Sequence, residues 1–143
     1  MLTDEFAQAA LDQMAHADVL TPDCPSRAVL QHLTSRWGVL VMAVLATGTF
    51  RFAQLRRRIG GVSERMLAQT LKQLEADGLV LRTDHGEVPP HVDYTLTPLG
   101  NEAARHLVAL VGWVETHMAE IGAAQQAYSR LRPTADRNGR SSV

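Results

Sequence analysis

The 143-residue chain has one cysteine, Cys24, so no disulfide can close within it. No spaced Cys/His set of the kind that holds structural zinc occurs either. Redox chemistry at Cys24 must therefore be intermolecular or end in a small-molecule adduct. No stretch approaches the roughly 18 uninterrupted apolar residues of a membrane span, and Met1 to Ala10 lacks the basic-then-apolar order of a secretory signal. A cytoplasmic protein with no membrane partner is the expectation. No Ser/His/Asp set, carboxylate pair or phosphate-cradling glycine loop stands in a supporting context, so no enzyme, cofactor or metal site is expected. His85 and His91 are the only histidine pair whose placement raises the question of a metal.

What is present suffices for one ordinary core. A 45% hydrophobic content over this length supports one compact domain with helical extensions. The formal net charge of −1 conceals an uneven distribution, and it is local field that attracts phosphate. Met1 to Pro25 carries Asp4, Glu5, Asp12, Asp18 and Asp23 with no Lys or Arg. The next charged block is basic: Arg51, Arg56, Arg57, Arg58, Arg65, Lys72 and Arg82 stand against Glu64, Glu75 and Asp77. Thr83 to Glu120 returns to acidic, and the tail beyond it is arginine-rich. A basic stripe thus lies between two acidic flanks.

Periodicity divides the chain. Thr3 to Val19 reads as an amphipathic helix, with Thr3 or Asp4 as cap and Phe6, Ala9, Ala10, Met14 and Ala17 on one face. Ser26 caps a short helix from about Arg27 to Leu33, and Trp37 to Leu45 is apolar enough for a buried central helix. Phe50 and Phe52 anchor the next segment in the core. Phe52 to Ile59 gives a two-turn helix that Gly60-Gly61 must break. Ser63 then caps a second helix, whose Leu67, Leu71 and Leu74 face inward up to the stop at Asp77-Gly78. Two helices joined by a glycine turn obey helix-turn-helix grammar. Leu79–Thr83 and Val92–Leu96 are β-rich runs flanking a segment with Gly86 and Pro89-Pro90, a hairpin wing. Thr97 and Pro98 open a long C-terminal helix whose apolar stripe, through Leu107, Leu110, Val111, Val114 and Met118, exceeds what a small core needs. Trp37 and Trp113 are read as core or interface aromatics.

The chemistry sits on the second helix of the pair. B-DNA's major groove admits one α-helix, whose N-terminal half reaches base edges while neighbouring cations hold phosphates. Ser63 to Asp77 is expected to be that recognition helix. Arg65 suits a bidentate contact to guanine and Gln69 one to adenine; Met66 lies beside them near the helix start. Ser63, Thr70 and Lys72 suit phosphate, as do Arg56 and Arg57 on the preceding helix and Arg51 just before it. The bland reading, that these charges merely solvate a helix face, is weakened by the adjoining glycine turn and wing.

The run Cys24-Pro25, Arg36-Trp37-Gly38, Arg51 to Arg57, Gly61 to Leu67, Leu74 to Val80, Glu87-Val88-Pro89-Pro90 and Tyr94 to Gly100 resembles the HxlR family of bacterial regulators, which are MarR-like in broad architecture. The resemblance covers roughly Cys24 to Trp113. It implies a homodimeric winged-helix protein on double-stranded DNA, its N- and C-terminal helices forming the dimer interface and each recognition helix entering a half-site. Where the family's wing commonly carries a basic residue after the double proline, this chain has His91, the wing's candidate for a DNA contact. The resemblance also puts Cys24 at a position that serves several similar regulators as a redox or electrophile sensor. A nearby helix start favours the thiolate, Asp23 opposes it, and cysteine often packs as a small hydrophobe, so sensing and packing both stand.

The expected fold is α+β and mainly α. It comprises an N-terminal dimerisation helix (1–22), a winged helix-turn-helix (23–97), a C-terminal dimerisation helix (98–128) and a disordered tail (129–143). The expected function is a transcriptional regulator binding a near-palindromic operator as a homodimer, responsive to an oxidant or small-molecule effector. The alternative is a winged-helix protein-interaction module without sequence-specific DNA binding.

Overall fold

Leucines spaced at three and four residues organise the centre of the computed structural model, which describes residues 4–17 and 19–132. In chain order the elements are α1 (Asp4–Ala17), α2 (Pro25–Thr34), α3 (Arg36–Leu45), β1 (Phe50–Arg51), α4 (Phe52–Arg58), α5 (Glu64–Ala76), β2 (Val80–Asp84), β3 (Val92–Leu96), α6 (Pro98–Thr116) and α7 (Met118–Leu131). They fall into two compact units, Met1–Leu107 and Val108–Val143. Thr3, read as a cap, and the tail beyond residue 132 lie outside the described residues, as do the side chains of Met14 and Ala17.

In the first unit, Leu67, Leu71 and Leu74 of α5 pack with Val41, Met42 and Leu45 of α3 and Leu55 of α4, closed below by Leu79, Val80 and Leu96 of the sheet and by Ala104 and Leu107 of α6. Phe50, Phe52 and Trp37 pack partly buried against this cluster, as expected. The sheet is antiparallel in the order β1-β3-β2. Its β2–β3 register, Val80 with Leu96 through Asp84 with Val92, makes the expected hairpin wing. The two-residue β1, which pairs Phe50 with Tyr94 and Arg51 with Asp93, carries too little periodicity to read from sequence.

Local chemistry explains most boundaries. Ser35 Oγ accepts from Gly38 N at 3.1 Å and starts α3. Ser63 Oγ accepts from Met66 N at 3.1 Å and starts α5. Gly61 sits at φ 87°, a left-handed backbone that costs a residue with a Cβ roughly 1–2 kcal/mol, so the turn between α4 and α5 needs glycine there. Helix α5 ends in a Schellman motif: Gly78 at φ 76° donates to Glu75 O, and Leu79 N donates to Leu74 O, both at 3.0 Å. Thr97 then clasps that end. Its N donates to Leu79 O at 3.1 Å, its Oγ1 donates to Gly78 O at 2.6 Å, and the same oxygen accepts from Gly100 N at 3.0 Å as the α6 cap. Gly100 is required by packing, because a Cβ there would land on the Leu79 carbonyl.

Three expectations need correction. Helix α2 begins at Pro25 with Cys24 as N-cap, since proline at N1 sacrifices no needed N–H; Ser26 lies inside the helix. The expected single C-terminal helix is interrupted at His117, where the Thr116 hydroxyl donates back to Gly112 O at 2.9 Å, a pattern that bends helices. Helix α7 continues through Leu131, into the segment expected to lack structure.

Candidate nucleic-acid interface

The α4–turn–α5 unit presents its polar side chains because its apolar ones are consumed by the core. With Leu67, Leu71 and Leu74 turned inward, Arg65, Met66, Gln69 and Lys72 are exposed on the opposite side of α5. Arg51, Arg56, Arg57 and Arg58 are exposed on and just before α4. A cleft lined by Phe52, Ala53, Arg56, Arg57 and Glu64 opens beside the start of α5. The structure therefore brings together the basic and polar set read from the sequence: arginines on the first helix, and a capped helix start with Arg65, Met66 and Gln69 on the second. Ser63 can serve twice, since its oxygen accepts from Met66 N while its hydroxyl proton remains able to donate to an anion.

Two residues of the expected set are placed otherwise. Thr70 is 5% exposed, and its hydroxyl donates to Met66 O at 2.7 Å. It belongs to the buried stripe with Leu67, Leu71 and Leu74, so the phosphate contact assigned to it is withdrawn. His91 is half-buried, with Nε2 3.0 Å from Asp93 Oδ1 and Nδ1 3.5 Å from Glu87 Oε2. Flanked by two carboxylates, it is not a spare cation for DNA.

Sequence reading missed two pairings. Arg56 Nη1 donates to Glu64 Oε1 at 3.0 Å, an exposed ion pair bridging α4 to the first residue of α5. His32 Nδ1 lies 2.6 Å from Asp77 Oδ2, tying α2 to the end of α5. The eight-residue and 45-residue separations of these partners leave no local signal. In the wing, the hydrogen bond from His85 holds the Asp93 carboxyl below the usual carboxylate range against the opposing effect of partial burial, and His91 adds to it. The stability this contributes is present above the unfolded-chain value and lost as pH falls through the lowered folded one.

Cys24 is half-buried at the α2 N-cap, its Sγ 2.9 Å from Ser26 Oγ. In the second unit, Leu110, Trp113, Val114 and Met118 are exposed, and the Trp113 ring stacks on His117 at 4.6 Å. Among the described residues no single helix is long and apolar enough to cross a membrane.

Known proteins share this arrangement. The family model for the HxlR-like helix-turn-helix matches residues 32–121. The HTH-type transcriptional regulator YtfH of Escherichia coli (strain K12) is 50% identical over 117 residues, which cover 81% of this chain and 93% of that protein. The solved structure of the transcriptional regulator YtfH from Salmonella typhimurium is similar with a TM-score of 0.72 at 50% identity, over 75% of this chain and 96% of that one. The redox regulator HypR in its reduced form is similar with a TM-score of 0.64 at 29% identity, over 69% and 98%.

Proposed function

The chain belongs to the HxlR-like helix-turn-helix family of transcriptional regulators, and from that premise we propose that it acts as a homodimer on a near-palindromic operator, with α5 as the reading helix. The observation that carries the proposal is the outward row Arg65, Met66, Gln69 and Lys72 on a helix whose opposite face is locked into the core. Arg65 and Gln69 read base edges. Arg51, Arg57 and Lys72 hold phosphates, and Ser63 donates to one at the helix start. The dimer contacts come from α1 and from the exposed apolar stripe Leu110, Trp113, Val114 and Met118, which a monomer would leave in water. Half-sites then lie about one helical turn, or a multiple of it, apart.

The division of labour is testable by fluorescence anisotropy on an operator selected by genomic DNA capture and on random duplex. Arg65→Ala is expected to lose roughly 1–3 kcal/mol on the operator and little on random DNA. Arg57→Ala is expected to weaken both alike. Identical behaviour of the two variants on both duplexes refutes the assignment, and absence of DNA binding by the intact dimer selects the protein-interaction alternative.

A second element of the proposal is response to an oxidant or electrophile through Cys24, supported by its place at a helix N-cap and by the likeness to a redox regulator. Alkylation of the native protein across pH should then run faster near neutrality than an ordinary thiol's. A slow, ordinary-thiol profile assigns Cys24 to packing.

A further inference from the structure

We propose that the wing carries a metal site, in which His85, His91 and Asp93 together bind one divalent first-row transition ion of the zinc type. The site goes beyond DNA reading and does not depend on it.

Strand geometry assembles the three donors. Side chains two apart on a strand share a face, which puts His91 and Asp93 on one side of the wing. The β2–β3 ladder runs to Asp84 opposite Val92, and His85 N donates to His91 O at 3.0 Å, extending the pairing by one step. His85 is thereby brought beside His91, their ring centroids 4.4 Å apart. One donor atom from each of His85, His91 and Asp93 falls within a set whose members all lie within 4.8 Å of one another. A cation bonded at about 2.0–2.2 Å to imidazole nitrogen and carboxylate oxygen holds its ligands within such a span.

The present contacts are those a cation would replace. Asp93 Oδ2 lies 2.8 Å from His85 Nε2 and its Oδ1 lies 3.0 Å from His91 Nε2, so one carboxylate already converges both rings. Arg51 is the residue opposite Asp93 on β1, yet among the described residues the ion pairs of Asp93 are with the two histidines. To coordinate, each ring would present Nε2 unprotonated and carry its hydrogen on Nδ1. For His91 that Nδ1 already faces Glu87 Oε2 at 3.5 Å, the outer carboxylate that commonly orients a ligating histidine. Two imidazoles and one carboxylate suit zinc and its first-row neighbours, whereas calcium and magnesium take oxygen ligands. Three protein ligands leave a coordination position open to solvent.

The test uses the full chain carrying Cys24→Ser, which removes the one thiol, titrated with zinc(II) by calorimetry and with cobalt(II) by visible absorption. One ion per chain is expected. His85→Ala, His91→Ala and Asp93→Ala should each weaken binding at least tenfold, Glu87→Gln by a smaller factor, and His106→Ala, an exposed histidine on α6, not at all. Zinc should also shift the ring-proton NMR signals of His85 and His91 in the unsubstituted wing, a readout that does not require the variants to fold. Uptake unchanged by all three ligand substitutions, ring signals that do not move, or no saturable uptake at millimolar zinc would each overturn the proposal and leave the cluster a hydrogen-bonded clasp only.

Discussion

Raising the salt from 50 to 200 mM is expected to weaken DNA binding by the proposed dimer on the order of 10³-fold. Each phosphate neutralised releases condensed counterions, so log K falls against log salt with a slope of about −0.9 per contact. Arg51, Arg57 and Lys72 are exposed and form no ion pair among the described residues, so the proposed dimer would make six phosphate contacts through them, with a slope near −5 by that rule. Arg56 is left out because Glu64 holds it at 3.0 Å. Glu64→Gln releases Arg56 and removes a carboxylate from the start of α5, so the variant should bind more tightly and its slope should steepen toward about −7. Anisotropy titrations at four salt concentrations measure both slopes. A slope shallower than about −2 for the unaltered chain would be incompatible with this electrostatic footprint.

The second large effect concerns stability. Leu67→Ala should cost about 2–5 kcal/mol, because a fully buried leucine is replaced by a cavity among helices that relax only partly. Against a total stability of about 5–15 kcal/mol, this is enough to leave a substantial unfolded fraction on mild warming. Gln69→Ala, two residues away on the exposed face, should stay within about 0.5 kcal/mol. Urea unfolding with an unchanged slope and a shifted midpoint is the measurement. Equal midpoints for the two variants would mean that the inward face of α5 is not packed as described.

The elements most legible in the sequence are those whose signals are local. Ser63, the Gly60-Gly61 turn and the leucine stripe specify α4, the turn and α5 between Phe52 and Ala76, and Thr97-Pro98 marks the α6 start as plainly. Thr70 misleads because its polarity suggests exposure, while its spacing, three residues from Leu67 and four from Leu74, places it on the buried stripe. Its hydroxyl makes burial tolerable by bonding within its own helix. Strand β1 is invisible in the sequence because it exists only through its pairing with β3. The break at His117 is equally hidden, because no glycine or proline stands at that residue, and the Thr116 hydroxyl that bonds back to Gly112 O there is a common helix side chain. In the wing, the alternation of His91 and Asp93 is readable. That His85 joins them depends on a register that no single strand records.

The Thr97 clasp has a mechanical consequence. Two of its hydrogen bonds, each worth about 1 kcal/mol, join the residues that close α5, Gly78 and Leu79, to the start of α6, the third caps α6 itself, and the missing Cβ at Gly100 lets the two backbones approach closely. A tilt imposed on the first turn of α6 would therefore be passed to the C-terminal end of α5 with no compliant linker between them to absorb it. With His32 pinning Asp77 from the other side and Leu67, Leu71 and Leu74 seated in the core, α5 is held along its whole length. A tilt entering at the start of α6 would thus carry α5 as one body, Arg65 included, and not swing one end of it.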